Sequence, residues 1–252
     1  MLGGSLTVIS SLLLKHVLLL ILAAIALGAV HLVVGRIQVS WPPRAYWSSA
    51  AAGVAVAYVF VHLLPALATR TAAIEEVGIL VALDARHVLY VAALLGFVGF
   101  YGVERVAQTS RDTTGGRLHS RAFWLHIGSF GLYNAFIGYV IHEQRAAGRS
   151  ELLLFLVAIG LHLAIIEYGL QNDHEGRYRG LGQWLLGGAI VLGAGVGYVV
   201  TPNPLAMSLF FAVLAGGIVL NVIKEELPTE REGRFWPFAA GAGIYTIFLL
   251  GV

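Results

Sequence analysis

Apolar stretches separated by short polar breaks run through the chain from end to end. A helix that crosses a membrane needs about 20 mostly apolar residues, within a range of about 17–25. Eight stretches are near that length, the first longer and the third a little shorter, roughly 6–34, 45–67, 88–103, 122–141, 152–170, 181–200, 205–223 and 235–252. The third is the shortest unless Glu104 and Arg105 sit at its boundary. The segment 72–83 is too short to span and carries Glu75 and Glu76, so it reads as an interfacial piece of a loop. Turn formers mark the breaks, as in Trp41-Pro42-Pro43-Arg44, Thr113-Thr114-Gly115-Gly116 and Thr201-Pro202-Asn203-Pro204. The pattern predicts an all-α, polytopic membrane protein of eight transmembrane helices, with residues 1–252 forming one transmembrane domain.

Composition agrees with this. Hydrophobic residues make up 58% of the chain and charged residues 12%, more apolar surface than a soluble domain of this size covers. The absence of cysteine excludes disulfides, thiolate metal sites and thiol catalysis. A formal charge of +2 gives no reason to expect a nucleic-acid partner; the lipid bilayer is the expected one. The N-terminus lacks the basic lead of a signal peptide, so the first segment is expected to be retained as a long first helix.

Arginine and lysine concentrate in the loops after spans one, three, five and seven. By the positive-inside rule those loops face the cytoplasm, and both termini face away from it in a multi-pass cell-membrane protein. All five tryptophans (Trp41, Trp47, Trp124, Trp184 and Trp236) fall just before or at the start of even-numbered spans, at one predicted interface.

Chemistry concentrates between residues 122 and 171, where Asn134, His162 and Glu167 recur at mid-segment depth. Such side chains are costly in hydrocarbon and mark functional sites by default. His126 lies two helical turns before Tyr133 on the same face and extends the seam towards the cytoplasmic entrance. No His-x-x-x-His or His-Glu-x-x-His pair suits a membrane zinc hydrolase, so no enzyme is expected. A faint inverted repeat relates the stretch Gly53 to Pro65, in span two, to Gly216 to Pro228, in span seven, with His62 opposite Glu225.

At this point the chain resembles the ZIP family of divalent-metal transporters over its whole length. His62-Leu63-Leu64-Pro65 is similar to the end of that family's second helix, and the stretch ending in Leu227-Pro228 to the end of its seventh. The resemblance implies inverted three-helix repeats around helices four and five, a transport path between those two helices, and a divalent cation of the zinc, iron or manganese class as cargo. Its candidate contacts are His162, Glu167, Asn134, His126 and His62; the last is an entrance ligand or a helix-end hydrogen bonder.

The match is partial. Asn134 and Gly138 keep the fourth-helix motif, but Tyr133 stands for its histidine and Ile137 for its carboxylate. In the fifth helix His162, Glu167 and Gly169 remain, while Leu163 and Ile166 occupy ligand positions and the usual proline is missing. A cation stripped of most of its water needs several N or O donors, so the ordinary two-metal centre is not expected. The alternative is a ZIP-fold protein that has lost this centre and acts as a sensor, a scaffold or a carrier of another solute. No resident cofactor is implied, and the glycines of span six (Gly187, Gly188, Gly193, Gly195 and Gly197) would permit a homodimer.

Overall fold

A computed structural model describes residues 2–36, 43–75, 84–112, 116–201, 203–226 and 234–251. Among them every regular element is helical, in eight long stretches. These are α1 (Leu2–Val33), α2 (Arg44–Ala57), α3 (Ala85–Asp112), α4 (Gly116–Ala147), α5 (Arg149–Arg177), α6 (Gln183–Val199), α7 (Pro204–Asn221) and α8 (Phe235–Leu250). The helix starts follow local chemistry. Asp84 Oδ1 accepts the Arg86 amide at 2.9 Å, an N-cap for α3 that holds the Asp84 carboxyl below the usual carboxylate range. Asn203 Oδ1 accepts the Ala206 amide at 2.9 Å ahead of Pro204, capping α7 in the same way. Without internal proline, α4 and α5 run uninterrupted.

Among the described residues, six stretches are long and apolar enough to cross a membrane: Leu14–Val33, Ala45–Thr71, Ala85–Val106, Arg149–Gln171, Tyr178–Val199 and Pro204–Lys224. The expected eight are not all of this kind, for two physical reasons. Helix α8 is apolar but only 16 residues long, and α4 is long but diluted by His126, Ser129, Tyr133 and Asn134. The third stretch is a longer helix than expected, carrying Glu104 within it. Outward-facing Leu94, Leu95, Leu192, Val199, Ile247 and Phe248 give the bundle an apolar exterior. Trp124, Trp184 and Trp236 are exposed towards the starts of α4, α6 and α8, while Trp41 lies outside the described residues.

Glycine sets the closest helix pairs. A Cβ on Gly53 would strike the backbone of Phe238 and Ala242, and one on Gly241 that of Ala50, so α2 and α8 touch backbone to backbone. Gly216 meets Ala93 and Phe97, and Gly96 meets Val213, in the same manner between α7 and α3. Gly28 and Gly187 face each other's carbonyls across α1 and α6, and Gly138 and Gly193 bring α4 against α6. The glycines of α6 are therefore largely occupied within the chain: Gly188 and Gly195 face open space, while Gly197 packs on Tyr139 and His142 of α4.

Three helices run into π-type segments near their ends, α5 into Tyr178–Gly182 ahead of α6. The α2 rod passes through a π-type segment, Tyr58–Leu63, and α7 runs into another, Val222–Glu226. In α2 Pro65 removes an amide donor and its ring crowds the carbonyl four residues back, which favours the wider turn. Pro228 lies at the matching place after the α7 segment, outside the described residues.

Candidate functional site

The polar residues of α4 and α5 face inward and lie in the protein's interior. Asn134 and Glu167 are fully buried, His162 is 1% exposed and His126 2%. They do not converge on one point. Asn134 and Glu167 meet through a third residue, His31, in the last turn of α1. His31 Nδ1 is 2.9 Å from Glu167 Oε2, and His31 Nε2 is 3.0 Å from Asn134 Oδ1. Glu167 also accepts the Gln171 side-chain amide on Oε1 at 2.7 Å and the Tyr178 hydroxyl on Oε2. Asn134 Nδ2 donates to the Phe130 carbonyl at 2.8 Å, one turn back on α4. Four elements thus contribute to one buried network: α1, α4, α5 and the lead-in to α6.

The bonding pattern constrains the protons. With its Nδ2 donating to Phe130, Asn134 can only accept through Oδ1, so His31 Nε2 carries a hydrogen. The opposite ring nitrogen faces a carboxyl oxygen that already accepts a phenol. The pair is thus an imidazolium against a carboxylate, or an imidazole against a carboxylic acid. Either way His31 and Glu167 together are neutral, which makes their complete burial tolerable.

His162 belongs to a different contact. Its Nε2 lies 2.5 Å from the Tyr133 hydroxyl, and Tyr133 packs edge-on against Phe100 and Phe130, with ring centroids 5.6 Å and 6.2 Å away. His126 sits in a third cluster, its Nε2 2.9 Å from Glu104 Oε2 on α3, with Lys224 Nζ 3.1 Å from Glu104 Oε1. His62 is in a fourth. It stacks on Tyr58 with centroids 5.0 Å apart, and its Nδ1 is 3.9 Å from Glu151 Oε2. The side chain of Glu225, which the sequence sets opposite His62, lies outside the described set.

The five candidate contacts are therefore distributed over four places. Ile137, Leu163 and Ile166 are all buried, so hydrocarbon fills the positions where the resemblance would put ligands. Among the described residues no group of three or more His, Cys, Asp and Glu side chains could hold a metal ion. Among the described residues, the donors at these positions do not make up a two-metal centre.

Sequence reasoning missed His31, Gln171, Tyr178, Glu104 and Lys224 as site residues. The signal for His31 was available, since a lone histidine in an apolar span is itself unusual. Nothing in its neighbourhood indicates that its partners lie 103 and 136 residues away.

No protein-family model, no curated protein and no solved structure matches this chain.

Proposed function

We propose that the chain is a ZIP-like membrane carrier whose central site is closed by its own His31 in place of a two-metal centre, and whose cargo is a polar solute other than a divalent metal ion. The observation that carries this reading is the His31 bridge. A cationic or hydrogen-bonding side chain of the protein stands between Asn134 and Glu167, the two residues that best retain the family's motifs on helices four and five. Tyr133 likewise takes up Nε2 of His162.

The carrier part of the reading is supported by paired contacts. Gly53 against Phe238 and Ala242 has its counterpart in Gly216 against Ala93 and Phe97, and Gly241 against Ala50 in Gly96 against Val213. Both sets follow one consistent pairing of α2 with α7 and of α8 with α3. Gly28 and Gly187 touch reciprocally, as residues beside a pseudo-two-fold axis do. The π-type segments of α2 and α7 fall at matching places as well. Inverted repeats of this kind are the framework of many secondary transporters. In this reading the arginine-rich loops are cytoplasmic and both termini lie on the other side.

A second reading, transport of zinc, iron or manganese between α4 and α5, is favoured by one observation. Imidazole and carboxylate meet where His31 Nδ1 faces Glu167, and with Nδ1 unprotonated the two would offer a pair of donors on one side of the ring. Elemental analysis of the detergent-purified protein, beside His162→Ala, together with uptake by cells starved of these metals, separates the two. The expected result is no stoichiometric metal and no metal uptake, with uptake appearing in the double variant Tyr133→His, Ile137→Glu. Metal bound at one or more ions per native chain, or native uptake, overturns the proposal.

A further inference from the structure

Ion pairs fasten α4 to the helices around it near both of its ends. Towards its start, His126 meets Glu104 of α3, which also holds Lys224 from the turns beyond α7. Towards its end, Glu143 receives Arg70 in a forked contact, with Nη2 to Oε2 at 2.5 Å and Nη1 to Oε1 at 3.3 Å. The Arg70 guanidinium also lies 4.0 Å from the ring centre of Phe211 on α7. The stretch of α4 from His126 to Glu143 is about 26 Å long at 1.5 Å per residue. The hydrocarbon core of a bilayer is about 30 Å thick, so the two clusters lie close to its opposite faces.

Each cluster adjoins a cavity between α4 and α7. Beside Phe211 the space is about 200 Å³ and apolar, lined by Phe136, Tyr139, Val140 and Leu214 among others. Beside Glu104 it is only about 10 Å³, room for about one water, lined by His126, Ser129, Phe130, Asn221 and Lys224 among others. Asn221 is 5% exposed, and its Nδ2 has no hydrogen-bond partner among the described residues. A buried amide without a partner is costly, and water entering that cavity relieves it.

The helix contacts differ in kind. Gly138 and Gly193 lock α4 to α6 through backbone atoms. Towards α7 and the end of α2 the cavities and the ion pairs intervene. Backbone-to-backbone packing does not come apart piecemeal, whereas a partly exposed charge pair such as Arg70–Glu143 separates at smaller cost once water solvates both partners.

We propose that Arg70–Glu143 and Glu104–His126–Lys224 are the two gates of this protein, one at each face, both closed in this structure. Opening one admits water to the cavity beside it while the other holds α4 in place. The proposal rests on the carrier reading and supplies its moving contacts.

The test exploits a chain without native cysteine. Val140→Cys reports on the cavity beside Phe211 and Ser129→Cys on the one beside Glu104, each read in nanodiscs as the labelling rate with a polar maleimide. Glu143→Gln should raise labelling at position 140 about fivefold or more, and leave position 129 unchanged or slower. Glu104→Gln should do the reverse. The exchanged pair Arg70→Glu, Glu143→Arg should return position 140 to the parent rate, and it carries the test if a single variant does not fold. An unchanged rate at position 140 in Glu143→Gln, a parallel rise at both positions, or an exchanged pair that stays fast would overturn the gates. Bound or transported metal would overturn the metal-free reading instead, and leaves these labelling rates to be judged separately.

Discussion

Replacing His31 by alanine probes the central network most directly. The imidazole is fully buried and makes its two shorter hydrogen bonds to Glu167 at 2.9 Å and to Asn134 at 3.0 Å, with the Tyr178 hydroxyl 3.4 Å from Nδ1. Its removal leaves Glu167 with only the neutral donors Gln171 and Tyr178 in a site closed to water. With the pair in its imidazolium–carboxylate form, breaking it from one side costs about 3–5 kcal/mol, most of it the stranded charge. The Asn134 oxygen loses its donor too, but the two losses share one site and do not simply add. A total near 4 kcal/mol is expected, and for a chain of this length each kcal/mol moves the melting temperature by about 2–4 °C. His31→Ala should therefore lower the apparent Tm of the detergent-purified protein by about 10 °C at a fixed scan rate. Adding Glu167→Gln removes the stranded charge and should recover about half of that loss. A fall of under about 2 °C in His31→Ala, or no recovery in the double variant, would refute the idea that His31 neutralises Glu167.

Two further expectations concern packing. Gly193→Ala drives a methyl group into the Ala135 carbonyl and should destabilise the protein by about 1–3 kcal/mol or more, whereas Gly188→Ala, which faces open space, should be neutral or slightly stabilising; paired thermal melts compare them. Asn221→Leu replaces an amide whose Nδ2 has no partner by a side chain of similar size, and should leave Tm unchanged or raise it by a few degrees. A marked fall would mean that the amide is satisfied by something bound in the cavity beside Glu104.

The glycine pairs and the ion pairs divide the labour within the bundle. Glycine brings backbones so close that the helix pairs α2–α8, α3–α7 and α4–α6 behave as units. The charged contacts lie between such units, at His126 and Glu143 on α4, where relative motion costs least. The π-type segments beside Pro65 and before Pro228 place two adaptable turns on α2 and α7, the helices that carry Arg70 and Lys224 just beyond their regular parts. Function in this reading depends on a few polar contacts mounted on a rigid, glycine-packed frame.

The eight helical stretches and their approximate limits were legible from the apolar runs, because a spanning helix must satisfy its own backbone and be apolar towards lipid. The inward-facing side of α4 and α5 was legible too, since Asn134, His162 and Glu167 at such depth leave no favourable place but the interior. Local sequence could not show what each of these residues meets. Helical periodicity tells which side chains share a face, and says nothing about the neighbour that face is turned towards. Only the tertiary structure brought His31 between Asn134 and Glu167, put Tyr133 on His162, and divided the remaining candidates between Glu104 and Glu151. Those pairings join residues far apart in the chain, and they follow from how closely glycine lets whole helices approach one another.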